Sequence, residues 1–387
     1  VSSFLRKQES RKKFLKAFLD SGLRRNDGFG EIDKTGAFHQ LREFSLSMQC
    51  ERSLNTDTDT KHFPAFSPKR SMAREIFIIG ICFIIFIPLI SIHRVTDFMI
   101  FCIFALSFDL LYGYMGRLSF GHLLYLGTGA YSFGLFVKYF QVNAFLAVLL
   151  GVLAAGILGM LLGLIMVRAT GACFSLMALA FNQIGFFLVL SPFKRFTNGE
   201  DGFGAHARAV GFLDFNSKTT LFVLVLLLLL LVYYLLKRMT TSPYGILVRS
   251  IKEDENRVRF LGYNTYFYKW VTFVAASLIA GLAGTLTALN YKFVNPNVMD
   301  VHQNVGVVFA CLIGGAGNLY GAIIGGVAYM MISNYLAIYI QRWEMFLGIS
   351  LLIIVFKFRK GIWGNVQSAG EYFRKGKEVR PAGEKRA

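Results

Sequence analysis

The sequence predicts an all-α polytopic membrane protein with about 8–10 transmembrane helices, some short or broken, and a cytoplasmic helix between two spans. Three observations carry that prediction. Apolar runs of about 20 residues, the length that crosses hydrocarbon, recur from Ile76 to Phe356 in a chain that is 55% hydrophobic. The net charge of +18 gathers in the two ends and in one loop, Thr240 to Tyr263. Glycines punctuate the apolar runs, where helices break or approach closely.

The charged loop orients everything else. A Lys, Arg or Asp at the centre of a span costs about 2.5–3.5 kcal/mol, so this loop stays at a membrane face. Seven Lys/Arg between Lys237 and Lys269 put that face in the cytoplasm. The same clustering argues against a nucleic-acid partner, because positive-inside topology already accounts for the charge. Pro243 after Ser242 suits a first helical turn, where its missing N–H costs nothing. Helical spacing then runs from Tyr244 to Leu261. Ile246, Leu247, Ser250, Ile251, Asp254, Val258 and Leu261 fall on one face, and Gly262 closes the helix. Such a helix either rests on membrane lipid head groups or docks a cytoplasmic protein.

The spans follow in order. Residues 1–71 read as a disordered basic leader, or as a gene-start artefact resembling translated palindromic-repeat DNA, with the membrane domain at 72–364. Span one is Ile76–Ile92, kinked at Pro88; span two is Phe98–Tyr114; span three is Leu118–Val137 after a tight break at Gly116-Arg117. Ala144–Val167 and Ala172–Leu190 make spans four and five. An external segment, Phe193–Lys218, leads to span six at Thr219–Leu236. Beyond the loop at 237–269 come Trp270–Leu289, a short Val305–Ile313, Leu319–Tyr339 and Met345–Phe356. Both termini then lie inside, with a basic tail at 365–387.

Three stretches depart from plain spans. In Gly113–Tyr131, Ser119 and His122 interrupt the apolar flow, as a pathway or gate or as part of close packing; Gly127 and Gly129 read as packing. Asp109, inside span two, is an ionisable group at membrane depth and so a functional candidate, although water or Arg117 is close enough to satisfy it. In the external segment, Asn198, Gly199, Glu200, Asp201 and Gly202 form a turn that presents its acids outward, without the ligand spacing of a Ca²⁺ loop. In Leu312–Gly326, Gly314, Gly315, Gly317 and Gly321 each cost about 1 kcal/mol of helix propensity, which close crossing or a helix break must offset. Asn182 and Gln183, mid-span, suit interhelical hydrogen bonds or a polar solute path.

Several classes fit poorly. No C-x-x-C pair or metal-ligand spacing occurs, and four of the five cysteines sit in apolar runs as packing residues. No G-x-x-x-x-G-K-[ST] loop occurs, so ATP and Mg²⁺ are expected on other chains and no cofactor on this one. No cluster of His, Asp or Glu supports an enzyme, so no catalytic residue is assigned. An ion-coupled secondary transporter normally carries paired membrane carboxylates, and Asp109 is the single candidate.

The motifs resemble one family. LYGYMGRLSFGHLLYLGTGAY, TNGEDGF, SPYGILVRSIKEDENRVRFLGYN, LIAGLAGTLTALNYKFVNP and LIGGAGNLYGAIIGG resemble, in order, the signatures of LivM-type permeases of branched-chain amino-acid ABC importers. Departures include Ile246 in place of Arg and Asn198 in place of Gly. The resemblance implies a heteromeric importer in the bacterial inner membrane, for hydrophobic amino acids or, in close relatives, urea or short-chain amides. Its implied partners are an H-type permease, two cytosolic ATPases and an extracytoplasmic binding protein. Pro243, Gly245, Arg249, Lys252, Glu253, Glu255 and Gly262 would couple to the ATPase, and the turn around Asp201 would meet the binding protein.

Overall fold

The computed structural model describes residues 68–86, 90–206 and 217–339, together with 345, 348 and 349. The chain divides into two compact units, Val1–Ser67 and Pro68–Ala387. The expected leader through residue 67, the last span and the basic tail lie outside the described residues, apart from those three positions.

Twelve helices are described in the second unit. They are α1 (Pro68–Phe86), α2 (Ile92–Asp109), α3 (Leu123–Phe140), α4 (Ala144–Met166), α5 (Ala172–Leu190), the single turn α6 (Lys194–Thr197) and α7 (Lys218–Thr241), followed by α8 (Pro243–Glu253), α9 (Glu255–Phe260), α10 (Thr265–Tyr291), α11 (Val301–Gly314) and α12 (Leu319–Tyr339). A π-helical turn, Leu110–Tyr114, extends α2. Two short strands, β1 (Phe203–Gly204) and β2 (Phe293–Val294), pair antiparallel and tie the segment after α6 to the end of α10. Among the described residues, six helices are long and apolar enough to cross a membrane: α2 with its π turn, α4, α5, α7, α10 and α12.

The core is built around α2 and α10. The most apolar window of α2 is 83% buried and that of α10 61%, against 28% for α4 and 22% for α5. Apolarity does not separate these groups, because lipid tails are as apolar as leucine. Within α4, side-chain size decides which face is inside. The buried face of α4 is Ala144, Ala147, Gly151, Ala155, Gly156, Gly159, Gly163 and Met166, while Leu161, Leu164 and Ile165 face outward. Small residues let the backbones approach: a Cβ on Gly284 of α10 would fall on the Leu126 carbonyl of α3, and one on Gly129 would fall on the carbonyl of Gly281.

Several sequence expectations need correction. The first helix starts at Pro68 rather than Ile76, and a separate helix is already under way by Ile92, so span two begins six residues before Phe98. The third helix starts at Leu123 rather than Leu118, because residues 115–122 are irregular backbone. The eighth span starts at Val301, yet its 14 residues reach only about 21 Å, short of the ~30 Å hydrocarbon core. Two of the cysteines expected to pack, Cys82 and Cys173, are exposed on the bundle's surface, while Cys102 and Cys311 are buried.

The expected single helix from Tyr244 to Leu261 is two helices. Asp254 adopts extended backbone (φ −155°, ψ 96°) and its carboxylate accepts the Arg257 N–H at 3.1 Å, capping a new helix. The buried face of α8 is Gly245, Val248 and Ile251; Ile246 and Leu261, expected on the same apolar face as Ile251, are exposed.

Candidate functional site

Three of the motifs read separately in the sequence meet at the end of α2 nearest the charged loop. The π turn widens the helix there, and its carbonyls are no longer all matched along the helix. Lys252 donates from Nζ to the Gly113 carbonyl at 2.7 Å, a cation placed on the negative end of a helix. Arg249 lies over the ring of Tyr114, 4.7 Å from its centroid. On the other side, Asp109 Oδ1 accepts the backbone N–H of Gly317 at 2.8 Å. Gly315 and Gly317 take positive φ (101° and 85°), a conformation an L side chain resists, and a Cβ at Gly113 would strike the Gly317 backbone. The glycine turn between α11 and α12 is thus seated on the π turn, and α8 is bonded to the same carbonyl edge.

Glu255 forms a second knot beside the first. Its carboxylate receives Lys269 at 2.6 Å, Thr265 at 3.0 Å, Arg259 at 3.3 Å and Arg117 at 3.6 Å. Partial burial works to raise its pKa, but the Lys269, Thr265 and Arg117 contacts outweigh it and hold the carboxyl below the usual range. Arg117 lies in the irregular stretch before α3, so this knot ties the loop to that stretch. Glu253 points to solvent, and Gly262 (φ 89°) ends α9.

Ser119 and His122 lie deeper than the expected cytoplasmic boundary. His122 is level with Ser107, two turns or about 10 Å above Tyr114. Ser107 gives its hydroxyl hydrogen to the Phe104 carbonyl at 2.7 Å, so His122 Nε2 carries the hydrogen that Ser107 accepts at 2.9 Å. The ring stacks on Phe104.

This stretch and the turn before α11 are irregular backbone inside the bundle, satisfied by side chains from other helices. Ser175 donates to the Leu118 carbonyl (2.6 Å) and Asn182, two turns along the same face of α5, donates to the Met299 carbonyl (2.9 Å). Asn304 of α11 donates to the Ser119 carbonyl (3.2 Å), joining one break to the other. Four buried acceptors or hydroxyls here, Ser119 Oγ, His122 Nδ1, Asn182 Oδ1 and Asn304 Oδ1, have no protein partner among the described residues. Gln183, adjacent to Asn182 in sequence, faces out of the bundle.

Above the meeting point lies a cavity of about 350 Å³, bounded by α2, α3, α10, α11 and α12. Phe104 and Leu123 lie at the level of the breaks; Asp97, Tyr291 and Asn334 belong to the far end of the bundle. Asp97 accepts from Asn290 and from Tyr291 (3.1 Å), and Asn290 also bonds His93 (3.1 Å). Sequence reasoning missed Asp97 and Asn304 for one reason: each stood a single residue outside an assigned span. Ser107 and Ser175 carried no sequence signal beyond a hydroxyl in an apolar run.

At the same far end, Thr197 bonds the carbonyls of Val189 (2.7 Å) and Phe193 (3.0 Å) and sets the turn that follows. Asn198 and Gly202 have positive φ, Gly199 is buried, and Glu200 and Asp201 project outward. Gly314 and Gly321 form a backbone crossing of α11 and α12, where a Cβ on either would hit the other's carbonyl.

A family model described as branched-chain amino acid transport system / permease component matches residues 91–356. The chain belongs to this family. It is 24% identical over 293 residues to the high-affinity branched-chain amino acid transport system permease protein LivM of Salmonella typhimurium, covering 70% of this chain and 68% of that one. The LivM protein of Escherichia coli strain K12 is 23% identical over the same shares. A probable branched-chain amino acid transport permease protein LivM of Methanocaldococcus jannaschii is 28% identical over 114 residues, 29% of this chain and 33% of the relative. No solved structure matches the chain. The matched segment of this permease holds both helix breaks, the junction of the charged loop with α2, and the cavity.

Proposed function

We propose that this permease is one half of an ATP-driven importer for branched-chain, hydrophobic amino acids, spanning the bacterial cytoplasmic membrane with the loop at 237–269 on the cytoplasmic side. A second, H-type permease completes the pathway, and two cytosolic ATPases hold the ATP and Mg²⁺. An extracytoplasmic binding protein meets the turn at Asn198–Gly202. One observation carries this reading: Lys252 and Arg249 of α8 grip the π turn of α2, and that turn seats the glycine loop of the half-length helix α11. A push on α8 therefore reaches a broken helix, the element best able to rearrange without breaking a full span.

Three residues assigned to ATPase contact, Arg249, Lys252 and Glu255, make contacts within this chain. Their role in the mechanism is to transmit force, while Glu253 and the exposed face of α8 supply the docking surface. The cavity between Asp97 and Phe104 suits an amphiphilic solute, with a carboxylate for an ammonium group and aromatic walls for an apolar side chain.

The test is uptake of labelled leucine into proteoliposomes carrying the full complex, with ATP inside or outside and with an ion gradient as the comparison. ATP dependence is expected; gradient dependence without ATP would sink the reading. Lys252→Met should keep ATP hydrolysis and lose most uptake. Arg249→Glu should leave insertion intact and lower solute-stimulated hydrolysis. Normal hydrolysis and transport in both variants would remove α8 from the coupling path.

A further inference from the structure

We infer that the coupling-loop end carries a binding site for the phosphate of an anionic phospholipid, in the cavity between the end of α4, helix α9 and the start of α10. The cavity has a volume of about 500 Å³ and is lined by Arg168, Arg259, Lys269, Thr170, Asn256 and Tyr266, with Glu255 among the other lining groups. Three cations thus face one carboxylate. Glu255 is already committed to Lys269 at 2.6 Å and Arg259 at 3.3 Å. Arg168 lies 5.8 Å over the Tyr266 ring and has no carboxylate within ion-pair reach among the described residues. The local field is therefore positive, with hydroxyl and amide donors beside it, which is the chemistry that holds a phosphodiester.

What distinguishes a lipid from another anion is the surface that adjoins the cavity. Leu161, Leu164 and Ile165 on α4 and Phe267 on α10 are exposed, and α4 and α10 cross the membrane, so these side chains meet acyl chains. Tyr266 and Trp270 lie between the two helices at the same level, donating to the Leu164 carbonyl and to the Met160 carbonyl (3.1 Å). Aromatic residues with a polar tip mark the head-group level. A lipid whose tails cover the α4 strip brings its head group to the cavity mouth. Because Lys269 and Arg259 also hold Glu255, which pairs with Arg117 before α3, a phosphate here would relieve repulsion among the cations and steady the loop.

The experiment is native mass spectrometry of the chain, purified with the subunits that accompany it, after release from nanodiscs of mixed phosphatidylglycerol and phosphatidylethanolamine. The wild type should retain phosphatidylglycerol in preference to phosphatidylethanolamine. Removing two cations with Arg168→Gln/Arg259→Gln should cut that retention by about 30-fold, at the ~1 kcal/mol carried by each surface cation. The charge-keeping pair Arg168→Lys/Arg259→Lys should retain most of it, and Arg257→Gln, outside the cavity, should change nothing. Equal phosphatidylglycerol retention in the Gln pair overturns the proposal. So does full displacement of the lipid by millimolar inorganic phosphate, which would make the cavity a free-anion site. Loss of all lipid when ATPase subunits are bound would assign the surface to them instead.

Discussion

Helix α2 carries a carboxylate near each end, and the two are used in opposite ways. Asp109 is fully buried, and its bonded partner is a backbone N–H, that of Gly317. Asp97 is half-buried at the edge of a cavity, and its partners are the side chains of Asn290 and Tyr291. A backbone partner in a closed joint cannot swing away; side-chain partners at a cavity wall can exchange for a ligand. Two identical residues on one helix therefore sit in a closed joint and at a cavity wall, and the packing around them makes the difference.

The comparison breaks most visibly at the joint. Gly317→Val should cost about 3 kcal/mol or more, because a β-branched residue at φ 85° is strained and its side chain meets the π turn. Membrane abundance and thermal unfolding measure this, and a wild-type melting curve would mean that the turn is not closely seated. Asp109→Ala comes next, at about 1–3 kcal/mol for a buried N–H left unpaired, whereas Asp109→Asn keeps an acceptor and should recover most of the loss. At the other end, Asp97→Asn should move stability by less than about 1 kcal/mol while weakening leucine transport in proteoliposomes. Equal destabilisation at the two sites would erase the distinction between them.

The smallest effect expected is a pH dependence at Glu255. Its carboxyl is held below the ordinary range in the folded protein, so its contribution is complete above the unfolded value of about 4.3 and is lost as pH falls through the depressed folded value. Thermal stability of the wild type should drop more steeply below about pH 4 than that of Glu255→Gln. Parallel curves would show that the Lys269 and Arg117 contacts do not favour the ionised form.

Much of the fold was readable because membrane spans are local statements. A run of about 20 apolar residues announces itself wherever it packs, and positive loops mark its ends. Pro243 as a helix start and Gly262 as a helix stop were equally local. The break at Asp254 was readable in principle, since an Asp three residues before Arg257 can cap, but the unbroken helical spacing from Tyr244 to Leu261 outweighed it. The candidate site was readable only as fragments. Asp109, the glycine cluster and the charged loop each stood out, and nothing in the order of residues says that Asp109 reaches Gly317 or that Lys252 reaches Gly113. Asp97 and Asn304 slipped past because a polar residue at the edge of an apolar run looks like the start of a loop.

By itself the sequence determined that this chain crosses a membrane repeatedly, that its glycine clusters interrupt the spans, and which family it resembles, because hydrophobic length, charge placement and glycine spacing act over a few neighbouring residues. Tertiary structure alone decided which faces are inside and which polar groups meet. In lipid both faces of a helix are apolar, so hydrophobicity does not say which is inside; close packing, through small residues on α4 and large ones on α2, and the few hydrogen bonds that distant segments complete for one another decide it.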